Sequence, residues 1–340
     1  MSMKVSQVAT ARLVRYHPPV GLSTLFRPIP KDHARPPLDV TYKPESGGHY
    51  LRFSAKAALG IPEQTLLLVL LELAQQQLGN SAAAAVLSAT TTNEIGRELW
   101  CRLHPLEYGD DAQTLMLETS WYELNRRCGS QTGGSTQALR EKQLERLCEV
   151  IIWEYFGDNK MSKRQSYLIA LVIGNDDRMH IALNYRLARA LLGKPYSQVS
   201  LAERLLLKRD VPMAIHAFLS TAIGIGHTLK IGIERLLERL WPIQGDDAPS
   251  STHRSRRRQV KDGLTAIGHL DGWSVQWQSR ELAVVTRCRL RVGDETCHIA
   301  NKNTSYRQHA LPLITREINS LSTFDASVLF CTSSPGPGAG

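Results

Sequence analysis

The chain has 340 residues, 42% of them apolar, and a formal net charge of +9, with an isoelectric point near 9.3. That length and apolar content can bury one large core or two medium ones and exclude a wholly disordered protein; two domains are expected. The basic balance predicts a polyanionic partner, and nucleic acid outranks a membrane because no apolar run approaches the length of a bilayer span.

Residues 1–37 scatter Arg12, Arg15, Arg27, Lys31 and Arg35 among several prolines, which predicts an extended N-terminal arm able to track a DNA backbone. Leu38 to Phe53 reads as a hairpin: Val40 and Tyr42 alternate, Gly47 and Gly48 turn the chain, and Tyr50, Leu51 and Phe53 lead out. Pro62 starts a helix with two apolar stripes, Leu66, Val69, Leu70 and Leu73 beside Leu67, Leu71 and Ala74, so it is expected to be buried nearly all round. Ser120 to Glu123 forms a capping box ahead of Trp121, Leu124 and Cys128, a short amphipathic helix.

After a glycine-rich turn, Ser135 is a candidate N-cap for a helix whose Leu144, Leu147 and Ile151 form the buried seam. A ribbon is expected next, from Val150 to Phe156 and from Arg164 to Ile173, joined by GDNKMSK and completed by a third run from Arg178 to Leu183. The helix from Tyr185 ends at Gly193, which places a domain boundary between residues 193 and 194. A strand-like YSQVSL opens the second domain, followed by a helix from Leu201 and another from Asp210 with Val211, Ile215, Phe218, Leu219 and Ala222 inward.

Ile233, Leu236, Leu237 and Leu240 then mark a short helix that Trp241 and Pro242 end. From Thr252, five cations within ten residues precede Val260, Leu264 and Ile267. The i, i+4, i+7 stripe predicts a helix with that seam inward and Ser255, Arg258, Gln259 and Asp262 opposite, flanked by Arg254, Arg256 and Lys261. Guanidinium forks on an exposed helical face suit a major groove, where Arg reads guanine O6 and N7 bidentately. Trp273, Val275 and Trp277 alternate, a break falls at Ser279 to Glu281, and a second extended run carries Arg287, Arg289 and Arg291, expected to reach phosphates. Between Thr252 and Arg291 stand nine Lys or Arg against three Asp or Glu, so the charge is focused.

Helix, loop, basic helix and ribbon is the order of a winged helix-turn-helix, and it occurs twice, near 119–174 and near 232–291. The expected fold class is therefore α+β, with two tandem winged helix-turn-helix domains over 38–193 and 194–292 and a C-terminal extension over 293–340. In that extension Leu311, Ile314, Ile318 and Leu321 could form an amphipathic helix, and SSPGPGAG should be disordered.

Enzymatic signatures are missing. The sequence has no G-x-x-x-x-G-K-[ST] loop and no H-E-x-x-H, and after Gly224 and Gly226 it has Leu229 where a dinucleotide fingerprint needs its third glycine. Asp110-Asp111, Asp176-Asp177 and Asp246-Asp247 read as turn residues rather than Mg²⁺ ligands, and His216 as a structural histidine. The six cysteines, Cys101, Cys128, Cys148, Cys288, Cys297 and Cys331, show no C-x-x-C spacing, which argues against structural zinc and a disulfide framework and fits a reducing, cytoplasmic compartment. The N-terminal stretch lacks a sustained apolar core, so no signal peptide is expected.

LDVTY at Leu38 to Tyr42, GGSTQALREKQLERLCEV ending at Val150, RMHIALNYRLARALLG, and STHRSRRRQVKDGLTAIGHLDGW after Trp241-Pro242 together resemble the replication initiators of IncQ-type plasmids, the RepC proteins, over roughly residues 10 to 290. The resemblance implies tandem winged helices that bind direct repeats, the iterons, in a plasmid origin and open neighbouring DNA for a plasmid-encoded helicase and primase, with a homodimer among its states. It places base recognition on Arg254, Ser255, Arg258 and Gln259 and, in the first domain, on Ser135, Gln137, Arg140 and Lys142. Arg256, Arg257, Lys261, Arg287 and Arg289 are expected on phosphates, with Lys160 and Arg164 of the first ribbon also on DNA.

Three departures stand out, the first being that the tail past 292 has no counterpart in the family. Arg140 occupies a seam position that would suit an apolar residue, and Gly263 inside the basic helix costs about 1 kcal/mol against Ala. The reading is a non-enzymatic initiator without cofactor or metal. The alternatives are a transcriptional repressor built of the same modules, a nickase or primase, and a non-specific basic scaffold.

Overall fold

A computed structural model describes residues 12–30, 34–44, 49–79, 85–103, 112–130, 133–156, 163–174, 178–193, 195–242 and 249–288. The extended arm is corrected at once. From Arg12 onward the chain is packed: β1 (Leu13–Tyr16) buries Val14 and Tyr16 completely, and α1 (Pro18–Leu22) starts on the proline pair. Arg12 forms an ion pair with Glu72 at 2.6 Å, Arg15 donates to the Leu191 carbonyl at 2.7 Å and Arg35 pairs with Glu63 at 3.1 Å, so three of the scattered cations serve the interior.

The expected hairpin is β2 (Leu38–Tyr42) and β3 (His49–Ala55), with Leu51 and Phe53 inward. Helix α2 (Ile61–Gly79) is the element around which the first unit packs, buried from Ile61 through Ala74 except at Pro62. Its two buried carboxylates are each held by two guanidinium groups, Glu63 by Arg35 and Arg146 and Glu72 by Arg12 and Arg127. Unpaired, they would cost several kcal/mol each. Burial pushes the Glu72 carboxyl up, but its two arginines outweigh that and hold it below the usual range.

There follow β4 (Ala85–Leu87), α3 (Glu94–Leu103), β5 (Thr114–Thr119), α4 (Trp121–Arg127) and α5 (Gly134–Cys148). Half of the capping box forms: the Ser120 side chain accepts from the Glu123 amide at 3.2 Å, while the Glu123 carboxylate pairs with Arg126 and Arg127. Next come β6 (Ile151–Phe156), β7 (Lys163–Tyr167), β8 (Ile169–Ile173), β9 (Met179–Leu183) and α6 (Tyr185–Leu191). The expected single ribbon is divided at Leu168. β7 joins the sheet β2-β3-β6-β7, whereas β8 joins β4-β5-β9-β8. At the bend the Leu168 amide donates to Val150 and its carbonyl accepts from Asn184, both at 2.9 Å, so the turning backbone stays satisfied.

Past residue 194 lie β10 (Ser197–Ser200), α7 (Leu201–Leu206), α8 (Asp210–Ala222), β11 (Thr228–Gly232), α9 (Ile233–Leu240), α10 (Ser250–Gly268), β12 (Trp273–Trp277) and β13 (Leu282–Arg287). β11-β13-β12 form an antiparallel sheet, and β10 pairs with the N-terminal β1, joining the two halves. The two halves share a connectivity. In the second, α8, β11, α9, α10, β12 and β13 follow in order with β13 central; in the first, α2, β5, α4, α5, β8 and β9 do so with β9 between β5 and β8. The first half adds β4 and α3 before β5 and the β6–β7 hairpin before β8. One continuous apolar cluster runs through both halves, from Val14 and Leu66 to Ile215, Leu264 and Val285.

His17, at the start of α1, is buried, and its Nδ1 has no hydrogen-bond partner among the described residues. Burial, helped by Arg186, pushes its imidazole down to about 3. Because the unfolded chain takes up this proton near 6.5 and the native state does not, stability is intact above that value and falls as the pH drops below it. Urea unfolding at pH 5 should show about 2 kcal/mol less stability from this group than at pH 7.5. His17→Gln should shrink the difference by that amount; an unchanged difference would refute the assignment.

Candidate nucleic-acid interface

The basic helix is α10, and its three seam residues, Val260, Leu264 and Ile267, are completely buried against the rest of the second unit. Gly263 now has a reason: a Cβ there would lie 3.1 Å from Ile215 Cδ1 and 3.5 Å from Pro212 Cα, so glycine lets α10 approach α8 closely. Opposite the seam, Arg254, Ser255, Arg258, Gln259 and Asp262 form an exposed strip. The Arg258 side chain is 85% exposed and only loosely paired with Asp262 at 3.8 Å. Gln259 donates to the Ser255 hydroxyl at 3.3 Å, which holds the two polar side chains together.

The flanking cations are partly engaged. Arg256 lies over the Trp241 ring at 5.2 Å. Arg257 pairs with Glu234 on α9 and, at 3.5 Å, with Glu281 at the tip of the β12–β13 hairpin. Lys261 reaches the same Glu281 at 3.2 Å. That carboxylate therefore ties the hairpin tip to the helix, and beside it Arg280 and Trp277, the latter 41% exposed, face solvent. Arg280 was missed as a surface cation because 279–281 reads only as a break, although the two short alternating runs around it mark it as a hairpin-tip residue; Arg235, exposed on α9, was missed because only the apolar stripe of that helix was read.

Arg287 is corrected. It is 6% exposed, and its guanidinium donates to the carbonyls of Ser220 at 2.9 Å, Ile223 at 3.3 Å and Gln198 at 2.8 Å. The period of a strand puts it on the same face as Ala283 and Val285, both fully buried, so the arginine alternation pointed inward at this residue. Arg289, Arg291 and Lys160 lie outside the described residues, as do the three Asp pairs and the segment beyond 288.

The corresponding helix of the first unit, α5, differs. Ser135 and Lys142 are exposed, but Ser135 sits within the helix, Gly133 being the N-cap, and Gln137 is half-buried, donating to Glu141 at 3.1 Å. Arg140 is corrected as well. Only 5% exposed, it donates to Asn125 at 3.3 Å, Gln143 at 2.6 Å and Ser130 at 2.7 Å, pinning α4 and the intervening turn to α5. It precedes Leu144 by four residues on the same inward stripe, so its seam position prevailed over its charge. Arg164 is half-buried with its guanidinium 5.0 Å from the Phe156 ring centre. Alongside, Tyr122 and Leu139 are exposed, so this surface is less basic and more apolar than that of α10.

His216 is a buried residue whose Nε2 meets Glu203 at 2.8 Å, and the same Glu203 oxygen accepts from Trp273 Nε1 at 2.9 Å, joining α7, α8 and β12. Among the described residues no group of three or more His, Cys, Asp or Glu is placed to hold a metal ion, and no helix is long and apolar enough to cross a membrane.

Residues 11–288 match the sequence model of a family of replication proteins, which sets the class of the molecule. No curated protein matches the chain. Two crystal structures of domains 2 and 3 of RctB align with this chain: one, of selenomethionine derivatives, at 7% identity and a TM-score of 0.45 over 78% of this chain and 94% of that one. The other aligns at 8% identity with a TM-score of 0.43, over 77% and 95%. The matching family is replication protein C, and the chain belongs to this RepC family.

Proposed function

We propose that the chain is a plasmid replication initiator that binds origin iterons as duplex DNA through two winged helix-turn-helix modules and promotes opening of the adjacent DNA, without a reaction of its own. The observation that carries this reading is the α10 strip: Arg254, Ser255, Arg258 and Gln259 exposed in one row over a fully buried seam, with a β-hairpin alongside. The shared helix–strand–helix–helix–strand–strand order supports the tandem assignment. The second module is the main reader, with Arg254 and Arg258 on guanine edges and Arg256, Arg257, Lys261 and Arg280 on phosphates. The first contributes through Ser135, Gln137 and Lys142. A second copy of the chain, a helicase and a primase complete the proposed set of partners, in the cytoplasm.

Permanganate footprinting on supercoiled origin plasmid tests origin opening. Reactive thymines beside the iterons should appear only when protein is added; tight binding with no reactive thymine would reduce the protein to a binder of the repressor kind. Nicking of the same plasmid with Mg²⁺ present would refute the non-enzymatic reading. Glu281 opposes phosphate binding by occupying Arg257 and Lys261, so Glu281→Gln should raise affinity for random duplex and steepen the slope of log affinity against log salt by about one. An unchanged slope in a salt titration would show that the two cations do not meet phosphates.

A further inference from the structure

The sheet β2-β3-β6-β7 has one buried and one outward face. Leu51, Phe53 and Ile152 point into the core, and the alternate positions stand at least partly exposed. The register sets Thr41, Arg52, Trp153 and Gln165 in one outward row and Tyr50 opposite Tyr155 in the next. The outward face thus carries aromatic rings interleaved with cations and polar groups.

We propose that this face binds single-stranded DNA, with bases stacked on Tyr50, Trp153 and Tyr155 and phosphates drawn to Lys43 and Arg52. The Tyr50 and Tyr155 rings already stack on one another, 4.4 Å apart and within 7° of parallel. Trp153 is oriented by its Nε1 donating to the Ser54 hydroxyl at 3.0 Å. Rings ordered beforehand lose little freedom when a base settles on them. Lys43 Nζ lies over the Tyr50 ring, 5.3 Å from its centre, on a ring that also stacks on Tyr155, so a base that takes this face displaces the ammonium, which is then placed to meet the phosphate. Arg52 is held bidentately by Asp39, both bonds 2.7 Å, with both side chains exposed to solvent, so a phosphate approaching Arg52 competes with that carboxylate.

A duplex offers no free base face to these rings, whereas an unpaired strand does, and stacking of this kind is tolerant of sequence. The rings are flanked by the polar Thr41, Ser54 and Gln165, with Ile151 as an aliphatic neighbour, a setting more polar than the core of a protein interface. The face is built from different strands than the α10 strip, so the two surfaces can be lost separately.

The test uses the full chain, a labelled oligothymidine of about 16 nucleotides, an oligouridine of equal length and the iteron duplex. Tyr50→Ala combined with Tyr155→Ala should weaken oligothymidine binding roughly tenfold or more and leave duplex affinity within about twofold. Tyr50→Phe with Tyr155→Phe, which keeps the rings, should bind as the wild type does. Should the alanine pair fail to fold, photo-crosslinking of 4-thiothymidine-substituted oligonucleotide to the wild-type chain decides, with adducts expected on peptides holding Tyr50, Trp153 or Tyr155. The proposal is overturned by a wild-type chain that does not bind oligothymidine or prefers oligouridine, by adducts confined to other peptides, or by a folded alanine pair that binds as before. Normal oligothymidine binding in an α10 variant that has lost the duplex would support it and separate its fate from that of the duplex reader.

Discussion

Arg204→Ala should lower the free energy of unfolding by roughly 3 to 5 kcal/mol, a large fraction of what a domain of this kind possesses. Arg204 is completely buried on α7, and its guanidinium makes four hydrogen bonds to neutral acceptors: Thr65 Oγ1 at 3.1 Å, Gln64 Oε1 at 2.9 Å and the carbonyls of Ile61 at 3.3 Å and Met213 at 2.7 Å. Burial pushes the group down to about 10, against smaller opposing effects of Tyr16 and Asp210, so it stays charged at neutral pH. Truncation leaves acceptors unsatisfied and a cavity the size of a long side chain, and the two costs add. Three of the four acceptors belong to α2, so the loss falls on the joint between the halves of the chain. Urea denaturation of the variant checks this; a change under about 1 kcal/mol would mean that the joint relaxes around the deletion.

Arg258→Ala should leave stability unchanged, because the side chain is almost wholly solvated, and should relax discrimination at one base pair by roughly 1 to 3 kcal/mol, or about five- to one-hundred-and-fiftyfold in affinity for the cognate repeat. Affinity for random duplex should fall much less, by the share of a single cation. Lys261→Ala should show the opposite profile, weakening all sequences alike. Competition binding against a set of single-base variants of the repeat separates the two, and a Lys261 variant with position-specific loss would reverse the assigned roles.

Much of the second unit was legible because its helices are long enough to show their period. Val260, Leu264 and Ile267 announced the buried side of α10, and the exposed row followed from it. Charge misled where it conflicted with parity. Arg287 shares a strand face with Ala283 and Val285, and Arg140 shares a helical stripe with Leu144 and Leu147; both are buried donors to fixed acceptors. The arm around Arg12 and Arg15 was misread for a related reason, since Val14 and Tyr16 make too short an alternation to reveal a strand whose partner, β10, lies far away in sequence. β5 and β11 escaped notice because short strands are specified mainly by their neighbours. The division at Leu168 is a tertiary event: the run from Arg164 to Ile173 is extended on both sides of the bend at Leu168, and the partners on either side, β6 and β9, decide that it serves two sheets.

The most direct test of the account is a titration of the origin repeat and a scrambled duplex of equal length at two salt concentrations. Both affinities should fall steeply as salt rises, while the preference for the repeat stays at about a thousandfold or more, as expected when phosphate contacts supply affinity and the α10 strip supplies choice. Equal affinity for the two duplexes at both salt concentrations would contradict it.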